Sequence, residues 1–268
     1  MEKNKLLKSK ASEPSSINYL DLQAYTGATK HMGGLEATND LLQFCHINMG
    51  AIILDIGCGV GATACYLAKH YDCRVIGVDI RERMIERAIE KAKIEKVAEK
   101  VTFLVADAQE LPFEAGMFDV TICESVATFI KDKPGVVQQC VRVTKSGGYV
   151  GFNEEVWVKT PPTEEYMEYM RSKMDVGPNI PLMSDWERYL TEAGLQDIVV
   201  RVYDKFDTKR EWSQKKRYSL MDYLLIIKRT LRLYAKSEAY REYMKESSQK
   251  PKRLFEHLGY VIMAGRKN

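Results

Sequence analysis

Residues Leu54 to Ala64 read LDIGCGVGATA, and this stretch decides the fold. Three glycines, Gly57, Gly59 and Gly61, alternate directly behind the apolar run AIILDI (Ala51–Ile56) and lead into a helical pattern from Ala62 to His70. Glycine lets a backbone turn tightly and approach a ligand without a Cβ in the way, while a helix start presents unpaired N–H groups. Three alternating glycines exceed what a plain strand–helix turn needs. The pattern therefore predicts the ligand-facing turn of an open α/β sheet.

Outward from that loop, RVIGVDI (Arg74–Ile80) is a second strand, followed by a helix with Met84, Ile85, Ala88, Ile89 and Ala92 on one side. VTFLVAD (Val101–Asp107), FDVTICE (Phe118–Glu124) and GYVGFNE (Gly148–Glu154) supply three more strands, the last preceded by a helix between Pro134 and Val143. Near-continuous apolar strands separated by helices mean a parallel sheet covered on both faces. Past Glu155, TEEYMEYMRSKM reads as a helix begun by Thr163 and bracketed by Pro161, Pro162, Pro178 and Pro181. DWERYLTEAG is a helix stopped by Gly194, LQDIVVRVY a sixth strand, Trp212 to about Lys245 one long helical region, and GYVIMAGRK (Gly259–Lys267) a seventh strand.

The expected architecture is Rossmann-like α/β: a mostly parallel seven-stranded sheet with helices on both faces, an N-terminal helical segment, and two helical insertions forming a lid. Residues 1–16 are expected to be a flexible leader and 17–268 a single domain. Its core would be 49–155 with 185–207 and 259–268, and its insertions about 157–182 and 209–256.

A net charge of +3 is too small for its sign to name a partner. No window approaches the roughly 20 apolar residues of a membrane span, and the Lys- and Ser-rich N-terminus lacks the apolar core of a signal peptide. Six cysteines in 268 residues do not make a secreted disulfide framework. Four of them (Cys58, Cys65, Cys123, Cys140) fall in or beside apolar segments, so a cytoplasmic protein with free thiols is expected. No dense Arg/Lys field with interleaved aromatics tracks a phosphate backbone, so no nucleic acid is expected as partner. No metal is expected either.

The ligand follows from the loop and its acidic neighbours. A dinucleotide site wants G-x-G-x-x-G, but here the third glycine comes one position early. Asp55, just before the loop, suits an ammonium group better than a pyrophosphate. Asp79 ends the second strand, where a carboxylate takes both hydroxyls of a ribose. Asp107 ends the third and can accept from an adenine amino group, while the N–H of Ala108 serves the ring. A nicotinamide-dependent oxidoreductase is the alternative that the glycine spacing disfavours. A non-catalytic binding protein is the alternative from another class.

With LDIGCGVGA, VIGVDI, VADAQELPFEAGMFDV and CVRVTKSGG in order, Leu54 to Glu155 resembles the class I S-adenosylmethionine-dependent methyltransferases. Within them it resembles the small-molecule branch that includes the ubiquinone/menaquinone, sarcosine and phosphoethanolamine enzymes. The resemblance implies S-adenosyl-L-methionine as cofactor, with Asp55, Gly57, Cys58 and Gly59 around its methionine part. It also implies Asp79 at the ribose, Ile80 against the adenine, Asp107–Ala108 at the adenine edge, and Glu124 facing cofactor and substrate. Ser146 stands where the family often has proline. The fourth strand ends in CESV (Cys123–Val126), unlike the Asn/Asp-Pro-Pro-aromatic run of DNA amino-methylating enzymes.

Upstream, His31, Gly33 and Gly34 in KHMGGLEAT resemble the histidine-glycine-glycine segment of several small-molecule methyltransferases, which implies closure over the cofactor. Tyr19 and Tyr25 either offer hydroxyls to the methionine carboxylate or pack on an N-terminal helix. Methyl transfer is an in-line displacement that requires alignment and exclusion of water. A small amine, phenol, quinone or carbon acceptor that must lose a proton would find His31, Glu124 or Glu155 as base. Between Glu211 and Lys236 stand seven Lys or Arg against two acids, beside a stripe of Leu220, Leu224, Ile227, Leu231 and Tyr234. Packing of that stripe on the core, with a solvated basic face, is expected; contact with anionic lipid is the alternative.

Overall fold

The computed structural model describes residues 17–159, 164–173, 180–204, 207–247 and 257–268. The leader 1–16, Pro161, Pro162, Thr163, Met174 and Pro178 lie outside the described residues, as do parts of both insertions. The chain opens with α1 (Tyr19–Thr26) and α2 (Gly34–Phe44), then alternates through β1 (Ile52–Ile56), α3 (Ala62–His70), β2 (Arg74–Asp79), α4 (Glu82–Glu95) and β3 (Val101–Val105). It continues with β4 (Phe118–Glu124), α5 (Lys133–Val143), β5 (Thr144–Trp157), α6 (Glu164–Lys173), α7 (Met183–Glu192) and β6 (Leu195–Tyr203). Last come α8 (Thr208–Ser213), α9 (Leu220–Lys236), α10 (Glu238–Ser247) and β7 (Leu258–Lys267).

The seven strands lie in the order β3-β2-β1-β4-β5-β7-β6. The first five pair in parallel, and β7 runs antiparallel between β5 and β6. Successive residues of a strand face opposite sides, and β1 shows why its sequence is apolar throughout. Ile53 belongs to the buried cluster on one face, with Leu41, Leu67 and Ala88, while Leu54 belongs to the cluster on the other, with Val137, Cys140 and Leu190. Each fully buried Leu or Ile contributes about 1.5–3 kcal/mol, so this two-sided core fixes the strand that carries the loop. The order reverses at β1, between β2 and β4, and that switch point opens a crevice at the strands' carboxyl ends.

Two expectations about the second insertion are corrected. The long helical region is broken into α8, a 3-10 turn (Gln214–Arg217), α9 and α10. The breaks fall at Tyr218–Ser219 and Ser237, which are extended; the Ser219 hydroxyl accepts from Asp222 N–H and the Ser237 hydroxyl from Tyr240 N–H. Serine thus competes with helix continuation and restarts it as an N-cap. The apolar stripe of α9 also does not pack on the core: its five residues are 54–77 % exposed. Polar anchors set the rotation instead, Asp222 to Lys91 and Arg229 to Glu90, so that Asp222 and Leu233 turn inward.

Candidate active site

A cavity of about 650 Å³ opens at the crevice. Its floor is the glycine loop. Gly57 has φ +65°, and a Cβ there would overlap the side chain of Val126. Cys58 N–H donates to Val78 O at 2.9 Å, tying the loop to β2. Gly59 N–H and Arg81 N–H donate to the two carboxylate oxygens of Asp79, at 3.0 and 2.9 Å. This carboxylate is therefore aimed before any ligand arrives, and burial raises its pKa. Ile80 stands 64 % exposed beside it on the cavity wall. At the next strand end, Asp107 accepts from Gln109 N–H at 2.8 Å, an Asx-type turn that also lines the cavity with Ala108.

Asp55 is different in kind. It is buried, it lines the cavity, and its Oδ2 has no hydrogen-bond partner. Burial and the neighbouring Glu124 push its pKa up to about 8. A buried carboxyl group with an unpartnered oxygen, on a residue that lines a cavity, is a seat for a cation.

The facing wall comes from distant parts of the chain. Gly33, at φ +76°, begins α2 where a Cβ would meet Ala37 at 2.6 Å, and this turn sets His31 into the cavity. Glu124 accepts from Thr63 at 2.8 Å and from Thr38 at 2.9 Å. Burial alone would raise its pKa, but His31, Arg217 and the two hydroxyls hold it below the ordinary value. Arg217, in the 3-10 turn before α9, donates to His31 Nε2 and to the Thr63 hydroxyl. The other ring nitrogen, Nδ1, lies 3.1 Å from Met32 O and 3.1 Å from the Asn153 amide nitrogen. Burial, then Arg217, depress the His31 pKa to about 4, so the ring is neutral near pH 7.

Glu155 lines a third side. It accepts from Thr128 at 2.5 Å and from Ser125 at 3.2 Å, and burial raises its pKa. Behind it, fully buried Glu154 accepts the N–H groups of Val126, Ala127 and Thr128, each at 3.0 Å, and so pins the turn after β4 in place. Tyr19 reaches the cavity near Glu155.

Thus the cavity gathers Tyr19, His31, Asp55, Gly57, Cys58 and Gly59 with Asp79, Ile80, Asp107, Ala108, Glu124 and Glu155. Tyr25 is not among its lining residues. Its ring lies 4.5 Å from the Arg83 guanidinium and packs against Ile17, Leu233 and Tyr240, bracing α1 on α9. Sequence reasoning missed Arg217, Thr38 and Thr63. Thr38 lies inside the KHMGGLEAT segment already singled out, whereas nothing local marks Arg217.

With this geometry in view, the comparisons are specific. Residues 54–152 match the family described as a methyltransferase domain. This stretch of the chain is thus a methyltransferase domain. It is 30% identical over 167 residues to a phosphoethanolamine N-methyltransferase of Triticum aestivum, covering 62% of this chain and 32% of that protein. It is 31% identical over 173 residues to the 27-O-demethylrifamycin SV methyltransferase of Amycolatopsis mediterranei, covering 63% and 62%. The chain thus spans about a third of the length of the phosphoethanolamine relative. Among solved structures, a methyltransferase from Geobacter sulfurreducens in complex with S-adenosylhomocysteine superposes with TM-score 0.71 at 20% identity, covering 94% of this chain and 99% of that one. At that identity the likeness speaks for the fold.

Proposed function

We propose that the cavity binds S-adenosylmethionine and transfers its methyl group to a small organic acceptor. The observation that carries this reading is the buried, unpartnered oxygen of Asp55 beside the glycine loop, which the cofactor's ammonium would satisfy. Asp79 would hold the ribose, Ile80 the adenine face, and Asp107 with Ala108 the adenine edge. When bound, the cofactor supplies an electrophilic methyl carbon on a sulfonium sulfur.

The chain's own task is then to align the acceptor, exclude water and receive a proton. Glu124 is saturated with donors and keeps its charge, which suits it to steady positive charge. His31 has Arg217 at Nε2 and Met32 O with Asn153 at Nδ1, so both ring nitrogens are engaged and it serves as a positioning residue. Glu155, with a raised pKa, is the base for an amine or phenol acceptor. Phe129, Tyr169 and Met170 line the cavity outside the cofactor set and would form the acceptor's side, while Tyr19 would reach the methionine carboxylate. Five carboxylates around one cavity also argue against a phosphate backbone as substrate. All six cysteines are free and buried, which fits a cytoplasmic protein, and residues 17–268 are read as one domain with a two-part lid.

Calorimetric titration with S-adenosylmethionine, followed by a screen of amines and phenols with labelled cofactor, tests the proposal. Micromolar binding with turnover of at least one class is expected. A protein that ignores the cofactor overturns it.

A further inference from the structure

The outward face of α9 is an apolar stripe. Leu220, Leu224, Ile227, Leu231 and Tyr234 recur at spacings of four and three, which puts them in one line along the helix, and all five are exposed. Contiguous exposed apolar surface of this kind marks a site of interaction. It would cost stability in solution unless something covers it.

Charge selects the occupant. From Trp212 to Lys236 the chain has seven Lys or Arg and one acid, Asp222. That acid is turned inward against Lys91, and Arg217 and Arg229 are engaged with the rest of the fold. What is left outside is cationic: Lys215, Lys216, Lys228, Arg232 and Lys236 are all exposed. Lys228 and Arg232 flank the stripe on the helix surface. In the preceding α8, Trp212 is exposed as well, with Lys215 3.4 Å from its ring centroid. An apolar line, flanking cations and an exposed indole one element upstream match the boundary between anionic headgroups and acyl chains.

A second copy of the chain fits less well. The stripe has coiled-coil spacing, but Lys228 is the midpoint of α9 and flanks the seam. Antiparallel pairing about a two-fold axis would set it against its own image, and parallel pairing would set it beside Tyr223 or Thr230, with no acid in reach.

We infer that α9 docks the protein on an anionic lipid surface, with its apolar stripe dipped into the headgroup layer. Arg217 and Tyr218 lead directly into this helix and Arg217 lines the cavity, so the docked face brings the cavity mouth to the membrane. An acceptor carried in the lipid would enter without crossing water. Docking itself does not depend on methyl transfer, so its test is separate.

Vesicle co-sedimentation decides the matter, with full-length protein, phosphatidylcholine alone, and phosphatidylcholine doped with phosphatidylglycerol. Binding is expected only to doped vesicles and should weaken about ten-fold or more as salt shortens the Debye length. Leu224→Asp/Leu231→Asp and Lys228→Glu/Arg232→Glu change only exposed positions and should each reduce binding at least ten-fold while leaving the melting temperature near wild type. Failure of the wild type to bind doped vesicles overturns the inference. So does a concentration-dependent dimer that the two-aspartate variant splits, since the stripe would then be a contact between copies.

Discussion

The two walls of the cavity are built by different means. The sheet-edge wall, with Asp55, Asp79 and Asp107, hangs on strand ends and a glycine loop. Backbone N–H groups within one strand–helix–strand unit or two residues on orient Asp79 and Asp107, and Asp55 keeps one oxygen without a partner. The facing wall is assembled over long range: His31 meets Arg217 across 186 residues and Glu124 meets Thr38 across 86. The first wall is therefore as rigid as the core behind it, whereas the second depends on how α2 and the lid dock. A cofactor shared by many relatives suits the first wall, and an acceptor that differs among them suits the second.

Damage to the first wall should have the larger effects. Gly57→Ala places a Cβ inside the Val126 side chain at positive φ. A loss of roughly 2–4 kcal/mol in urea unfolding is expected from overpacking and strain together, with cofactor binding abolished. Near-normal binding would show that the loop does not need its observed shape.

Asp55→Asn is milder for the fold and nearly as severe for the ligand. Losing a charge-assisted partner for the ammonium should weaken cofactor binding about 100-fold by calorimetry. The same variant checks the pH dependence. In the wild-type apoprotein the Asp55 pKa rises from 3.8 to about 8. Its contribution to stability is fully present below 3.8 and is lost as pH climbs through 8, because the folded state resists ionising it. His31 behaves oppositely: its pKa falls from 6.5 to about 4, so its contribution holds above 6.5 and fades as pH drops through 4. Thermal unfolding from pH 5 to 9 should therefore show a decline toward alkaline pH that Asp55→Asn flattens and that added cofactor also offsets. An unchanged slope would mean that the buried carboxylate is not what titrates.

The same contrast explains what the sequence made legible. Asp79 is twenty residues from Gly59, in one strand–helix–strand unit, so spacing alone places it. Arg217 is invisible to such reasoning: one cation among seven in its stretch, marked only by a docking event between the lid and α2. The stripe of α9 was legible as a stripe, but periodicity states only that one face is apolar. Asp222 and Arg229, through Lys91 and Glu90, decide which way it points. Tyr25 follows the second of the two readings its position left open, since its ring packs toward α9. The break before α9 was there to be found, because S-x-x-D at Ser219–Asp222 is a capping-box pattern.

Arg217→Met separates the walls. The cation that depresses His31 and helps hold Glu124 ionised would be gone. The His31 imidazole resonance should then titrate nearer to its ordinary pKa of 6.5, and kcat/KM should fall about ten-fold through the acceptor step. Cofactor affinity should change less than about three-fold if the walls are energetically separate. A large loss of cofactor affinity would instead place Arg217 on the methionine carboxylate and merge the two halves.

The smallest expected effect probes how the second wall is held. Ser219 begins α9: its hydroxyl accepts from Asp222 N–H at 3.2 Å and donates to Asp222 Oδ2 at 2.8 Å, while its own N–H donates to the same oxygen at 2.8 Å. Lys91 on α4 donates to that oxygen too, at 2.8 Å, and to Arg217 O at 3.2 Å. One carboxylate therefore caps the lid helix and anchors it to the core, and the neighbouring backbone carries Arg217 into the cavity. Ser219→Ala removes the cap but leaves the Lys91 pair, so about 1 kcal/mol should be lost. The loss should be local. Hydrogen exchange should quicken in the first turn of α9 and in Arg217–Tyr218, with β1, β2 and the glycine loop unchanged. A three-fold rise in KM for the acceptor at constant cofactor affinity would be the catalytic trace of the same loosening. If exchange quickens equally in β1, the lid and sheet unfold as one unit, and the division between the two walls is geometric only.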